Sequence, residues 1–149
     1  MEGDGFRARY GPWAVVAGAS EGVGAALARA FAARGVHVVL LARRQAELGE
    51  VAASIRREAG VDARAVAVDL AHDDAMERIV AATADVEVGL VAYCAGADPN
   101  YEPFLANPVE TALALVRRNC AVPVQVCHHF AGPMVARGRG GIVLVGSGA

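Results

Sequence analysis

Residues 17–24 read Ala-Gly-Ala-Ser-Glu-Gly-Val-Gly, which sets glycines at 18, 22 and 24 in a Gly-x-x-x-Gly-x-Gly spacing. Between a short apolar run and a helical pattern, that spacing suits the pyrophosphate of a dinucleotide. Such a ligand asks for a tight turn, close backbone approach and a helix amino terminus whose free N–H groups face the anion. Glycines permit the first two because a Cβ would stand in the way. Gly18, Ser20, Gly22, Val23 and Gly24 form the candidate phosphate cradle. Glycine-rich helix openings also arise for steric reasons alone, so the strand–loop–helix context has to carry this reading.

A second feature stands where the next apolar run ends, at Ala42-Arg43-Arg44. Two cations at the start of a helix oppose its dipole, and a nearby anion would resolve the conflict. Arg43, with its planar fork, suits a 2′-phosphate. An acid for the ribose hydroxyls is missing here, so NADP(H) is expected over NAD(H). The plainer alternative is a pair of solvated surface arginines. Further on, Asn119 precedes Pro123 by four residues. Proline has no N–H, so a helix through this point should kink and leave the Asn119 carbonyl free for water, or simply tolerate the asparagine. Cys120, Cys127, His128 and His129 lie on the same helical stretch but point in different directions, and no metal site is expected. With Cys94 the cysteines number three, which argues against a disulfide framework.

The elements that must position these residues follow from hydrophobic periodicity. Strands are expected at Trp13 to Ala17, Val36 to Ala42, Ala63 to Val68, Val88 to Tyr93 and Ile142 to Val145. Helices are expected at Gly24 to Gly35 and Gln45 to Ala59, the latter closed by Gly60. A third should be capped by Asp73 or Asp74, and a long one should run from about Leu113 to Val135. Ala95 to Pro108, with Pro99, Pro103 and Pro108, reads as a loop. Strand alternating with helix, the strands apolar on both faces, implies one α/β domain over residues 1–149: a doubly wound parallel sheet covered on both sides.

The stretch AGASEGVG resembles the glycine loop of the short-chain dehydrogenase/reductase family, with Ala17 where the family usually has threonine. The resemblance implies a Rossmann-type fold. It also implies an NADP-preferring oxidoreductase that moves hydride between the nucleotide and a small-molecule carbonyl or alcohol. Asp69-Leu70 is similar to the family's pair after the third strand, whose aspartate contacts the adenine amino group; a strand-end cap is the alternative. Tyr93-Cys94-Ala95-Gly96 keeps the small half of the family's Asn-Asn-Ala-Gly, so Ala95 and Gly96 leave room for the cofactor ribose while both asparagines are gone. The resemblance makes Asn119 the residue whose main chain holds a water of the proton relay. It makes Ser147, at the end of IVLVGSGA, the serine that steadies the substrate carbonyl, although a serine at a strand end is also ordinary turn chemistry. YGPWAVVAGASEGVG and RNCAVPVQ look like the branch of hydroxysteroid dehydrogenases and long-chain 3-oxoacyl reductases.

The family's Tyr-x-x-x-Lys pair would fall about a dozen residues beyond this serine. All 14 basic residues are arginine, so the pair is absent, and the chain is expected to stop after its fifth strand and to be inactive alone. A non-catalytic nucleotide-binding module and a non-functional fragment are the rival expectations. At 149 residues and a net charge of −2, without a basic stripe, the chain does not favour nucleic acid. Its apolar runs are too short to span a membrane, and the first ten residues lack a secretory signal's apolar core. A cytoplasmic protein is expected, associating with itself, if at all, through the long helix.

Overall fold

The computed structural model describes residues 2–96 and 101–147. Five strands form one parallel sheet in the order β3-β2-β1-β4-β5: β1 Trp13–Ala17, β2 His37–Ala42, β3 Ala63–Ala67, β4 Val88–Tyr93 and β5 Gly141–Leu144. Side chains alternate across the central strands, as the pleat requires. Ala14 and Val16 join Val38, Leu40 and Ala92 on one face, under Phe31 of α2 (Gly22–Ala32) and Leu48, Val51 and Ile55 of α3 (Gln45–Ala59). Val15, Ala17, Val39, Leu41 and Val91 face the other side, with Ile79 of α4 (Ala75–Thr83) and a stripe on α6 (Val122–Arg137). That stripe, Val122, Val126, Phe130 and Met134, repeats every fourth residue and is buried, as one helix face against a sheet should be.

The expected sheet is therefore present, with strand limits shifted by at most a residue. Three local expectations need correction. Residues Glu2–Tyr10 form a helix, α1, which periodicity did not reveal. Its only large apolar side chains are Phe6 and Tyr10, tilted rings 4.8 Å apart of which Phe6 stacks on Phe31, too few to make a stripe. Neither Asp73 nor Asp74 caps α4 through its side chain. Asp74 lies 2.7 Å from His72 Nδ1, and Asp73 pairs at 2.5 Å with Arg117, remote in sequence. Finally, the long helix is not continuous. It runs as α5 (Val109–Val116), a π turn (Arg117–Ala121) and α6, with a short 3-10 turn at Phe104–Ala106 before it. The loop before α5 is otherwise irregular where described; its residues 97–100, Pro99 included, lie outside the described residues.

At the sheet's amino-terminal side, Arg64 ties three elements together. Its guanidinium lies 4.6 Å from the Trp13 ring and donates to both carboxylate oxygens of Asp85, at 2.7 and 2.8 Å. That fork holds the Asp85 carboxyl below its ordinary range and raises the Arg64 pKa further.

Candidate functional site

β1 leads through α2 to β2 on one side of it, while β4 flanks it on the other. This reversal of strand order opens a crevice at the carboxyl ends of the strands, the place where open α/β sheets hold ligands. A cavity of about 540 Å³ lies there. The glycine loop lines it with Gly18, Ser20, Gly22, Val23 and Gly24, so the whole predicted cradle converges. Gly18 has φ +78°, and its N–H donates to the Leu41 carbonyl at 2.8 Å. A Cβ at Gly18 would come within 2.8 Å of the Ala95 N, and one at Gly24 would strike the Gly18 carbonyl. The loop thus folds onto the next strand's end and onto its own helix, with no space for side chains between. Glu21 occupies the N-cap of α2 without a side-chain capping bond, which leaves the first-turn N–H groups to the cavity.

Arg43 and Arg44 also line the cavity, but their situations differ. Arg44 lies 3.2 Å from Glu21 and 3.4 Å from Glu47, so the charge conflict expected at this helix start is partly resolved inside the chain. Arg43 is exposed and has no ion-pair or hydrogen-bond partner among the described residues. Leu70 and Val68 add an apolar wall. Asp69 does not line the cavity: it is exposed, and its Oδ1 accepts the Ala71 N–H at 2.9 Å, the turn chemistry held as the alternative.

Ala95 and Gly96 line the far side with Cys94, whose thiol burial pushes above its ordinary pKa. The neighbouring Tyr93 is buried, and its hydroxyl donates to the Arg118 carbonyl at 2.6 Å. This bond answers a specific need. In the π turn the Val122 N–H reaches back to Arg117, and Pro123, the next residue, has no N–H to send to Arg118. The Arg118 carbonyl, one residue before the Asn119 carbonyl at which the proline's effect was expected, thus takes a side-chain donor. Burial also raises the Tyr93 pKa, only partly opposed by the Arg118 charge, so the phenol stays a donor at any ordinary pH.

Asn119 does not line the cavity, yet it abuts the site. Its Nδ2 donates to the Leu115 carbonyl at 2.9 Å, and its Oδ1 fills the position a Cβ would take on Gly96, whose φ is +148°. Ser147 lies exposed just past β5, also outside the lining. Val145, two residues before it, donates its N–H to the Tyr93 carbonyl at 3.0 Å and does line the cavity. Glu21, Arg44, Cys94, Arg118 and Val145 are lining residues that sequence reasoning missed. For Glu21 and Arg44 the signal was available, since each sits within a motif already singled out. Among the described residues no helix is long and apolar enough to cross a membrane.

Strand order and crevice place the chain among Rossmann-type α/β folds. Comparison with known proteins narrows this: the model of the short chain dehydrogenase family matches residues 12–149, and the chain belongs to that family. It is 37% identical over 146 residues to the 7beta-hydroxysteroid dehydrogenase of Clostridium sardiniense, covering 95% of this chain and 54% of that one. It is 33% identical over 142 residues to the very-long-chain 3-oxoacyl-CoA reductase of Mus musculus, covering 93% and 46%. These relatives represent the branch that the sequence motifs resemble. Among solved structures, one from work on 7beta-hydroxysteroid dehydrogenase stereoselectivity superposes with a TM-score of 0.89 at 31% identity, covering 93% of this chain and 53% of that one. A short-chain dehydrogenase from Sphingobium yanoikuyae in complex with NADPH gives 0.84 at 30% identity, covering 92% and 54%. The chain spans about half the length of the relatives it matches.

Proposed function

We propose that these residues form the NADP(H)-binding part of an oxidoreductase acting on a small-molecule carbonyl or alcohol. The observation that carries the reading is Arg43, a cation without a partner among the described residues, lining a glycine-rich crevice. The cradle fits the cofactor: a Cβ at Gly18 or Gly24 would strike backbone, so the loop is held tight, and the uncapped start of α2 leaves its first N–H groups to an anion. Gly18, Ser20, Gly22, Val23 and Gly24 would hold the pyrophosphate on loop and helix N–H groups. Arg43 would take the 2′-phosphate through its fork. Leu70 would flank the adenine, with Asp69 beside it to meet the exocyclic amine, and Ala95 and Gly96 would leave space for the ribose. When bound, the nucleotide supplies the hydride donor or acceptor.

Asn119 and Ser147 belong to the same end of the sheet and are assigned the catalytic roles that the family resemblance implies. Asn119 holds a water through its main chain, and Ser147 steadies the substrate oxygen. A tyrosine general acid needs a nearby cation to bring its pKa toward neutrality. A Tyr-x-x-x-Lys pair does not occur in these 149 residues. By themselves they are expected to bind nucleotide without turning it over. The relatives' names, a hydroxysteroid dehydrogenase and a 3-oxoacyl-CoA reductase, agree with a bulky carbonyl or alcohol as the substrate class.

Titration with NADPH and NADH tests the reading. A charge-assisted contact to the 2′-phosphate should favour NADPH by roughly ten- to hundred-fold. Equal affinity, or a preference for NADH, would sink it.

A further inference from the structure

The glycine loop carries an acid at the mouth of a cavity read as an anion site. The Glu21 side chain is 79% exposed and its Oε1 lies 3.2 Å from Arg44 Nη2. The other terminal nitrogen of the same guanidinium lies 3.4 Å from Glu47, in the first turn of α3. Arg44 is thus shared between carboxylates from two elements, while Arg43 beside it has no partner among the described residues. These four charges sum to zero, but they are not equivalent. Glu21 without Arg44 would repel a phosphate entering the cavity, and Arg44 without Glu21 would offer it a second fork.

We infer that Glu21 and Arg44 are a specificity-determining pair for the 2′ position of the bound dinucleotide. Glu21 occupies Arg44, Arg44 masks Glu21, and Arg43 alone meets the phosphate. The inference rests on the NADP(H) reading above and adds to it a device that sets the strength of the preference. Glu47 gives the device its position: with Glu21 neutralised, Arg44 is still held at the mouth from the α3 side. Removing either member of the pair should change discrimination in opposite directions. A pair that merely fastened the loop to α3 would instead alter both dinucleotides alike, since both carry the same pyrophosphate.

The test is a set of NADPH and NADH dissociation constants for the unmodified chain, Glu21→Gln, Arg44→Ala, the double variant and Arg43→Ala, at low and at physiological salt. All three positions are exposed, and circular dichroism confirms that each variant is folded. Glu21→Gln should raise the preference for NADPH by about two- to five-fold, the range for exposed charge pairs. Arg44→Ala should lower it by a similar factor, and the double variant should return toward the unmodified ratio. Both shifts should shrink as salt rises. An unchanged or lowered preference in Glu21→Gln, or equal movement of both dinucleotides, overturns the pair. Arg43→Ala separates this from failure of the underlying reading. If it abolishes the preference while Glu21→Gln does nothing, the pair alone is wrong. If it leaves the preference intact, or if the unmodified chain binds neither dinucleotide, the NADP(H) reading falls and the pair with it.

Discussion

Cys94 stands on the wall of the crevice, half-buried, in the position after Tyr93 where the family resemblance led one to expect asparagine. Burial favours its neutral thiol, and the thiolate is the reactive form, so Cys94 should alkylate slowly at neutral pH. Cys120 is exposed on the π turn and does not line the cavity. Peptide mapping after iodoacetamide treatment should therefore show Cys120 labelled well before Cys94. Saturating NADPH should slow Cys94 further and leave Cys120 unchanged. Protection of neither thiol would mean that the nucleotide sits elsewhere. Residue-scale legibility was uneven for a physical reason. Gly18 and Gly24 announce themselves because backbone sterics are local. Asp69 does not, because a strand-end aspartate can serve its own turn or a ligand, and the sequence around it is the same in both cases.

Among the elements, the helix before β5 shows most clearly what the sequence could and could not deliver. Proline's missing N–H is legible, and a disturbance near Asn119 follows from it. Its form is not, because in the π turn a side chain from β4 supplies the donor to the Arg118 carbonyl. That donor, Tyr93, is remote in sequence, and only the packed sheet brings it within 2.6 Å of the Arg118 carbonyl. Tyr93→Phe keeps the buried ring and deletes the bond. It should cost about 1–3 kcal/mol, the range for stranding one partner of a buried hydrogen bond. Denaturant unfolding should show a lower midpoint at unchanged slope. Amide exchange should quicken across 117–121, the segment that carries Asn119, and loss of stability without faster exchange there would show that the hydroxyl does not hold the turn. Helix α1 was illegible for the opposite reason: Phe6 and Tyr10 find partners only in the folded molecule, so no periodic pattern records them.

Considered whole, the molecule is unevenly covered, and this shapes how it should respond to ligand. The central strands β1 and β4 are buried along their full length, whereas Val143 and Leu144 on β5 are exposed. On α5, Val109, Leu113 and Val116 form an i, i+4, i+7 stripe that the described residues leave open. The cavity borders both regions: its glycine loop springs from the buried centre, while Val145 continues the exposed edge strand. A nucleotide in it would bridge the most and least supported parts of the sheet. Native-state binding should then appear directly as stability. At a hundred times its dissociation constant, NADPH should add about 2.7 kcal/mol. For a chain of this size that is a rise in Tm of roughly 5–10 °C. NADH at the same concentration should do less, because without a 2′-phosphate it forgoes Arg43. Differential scanning fluorimetry across a series of both nucleotides measures this on the chain as it stands and needs no turnover. A midpoint that ignores NADPH would show that the crevice, however well its glycines are arranged, does not hold the ligand its geometry implies.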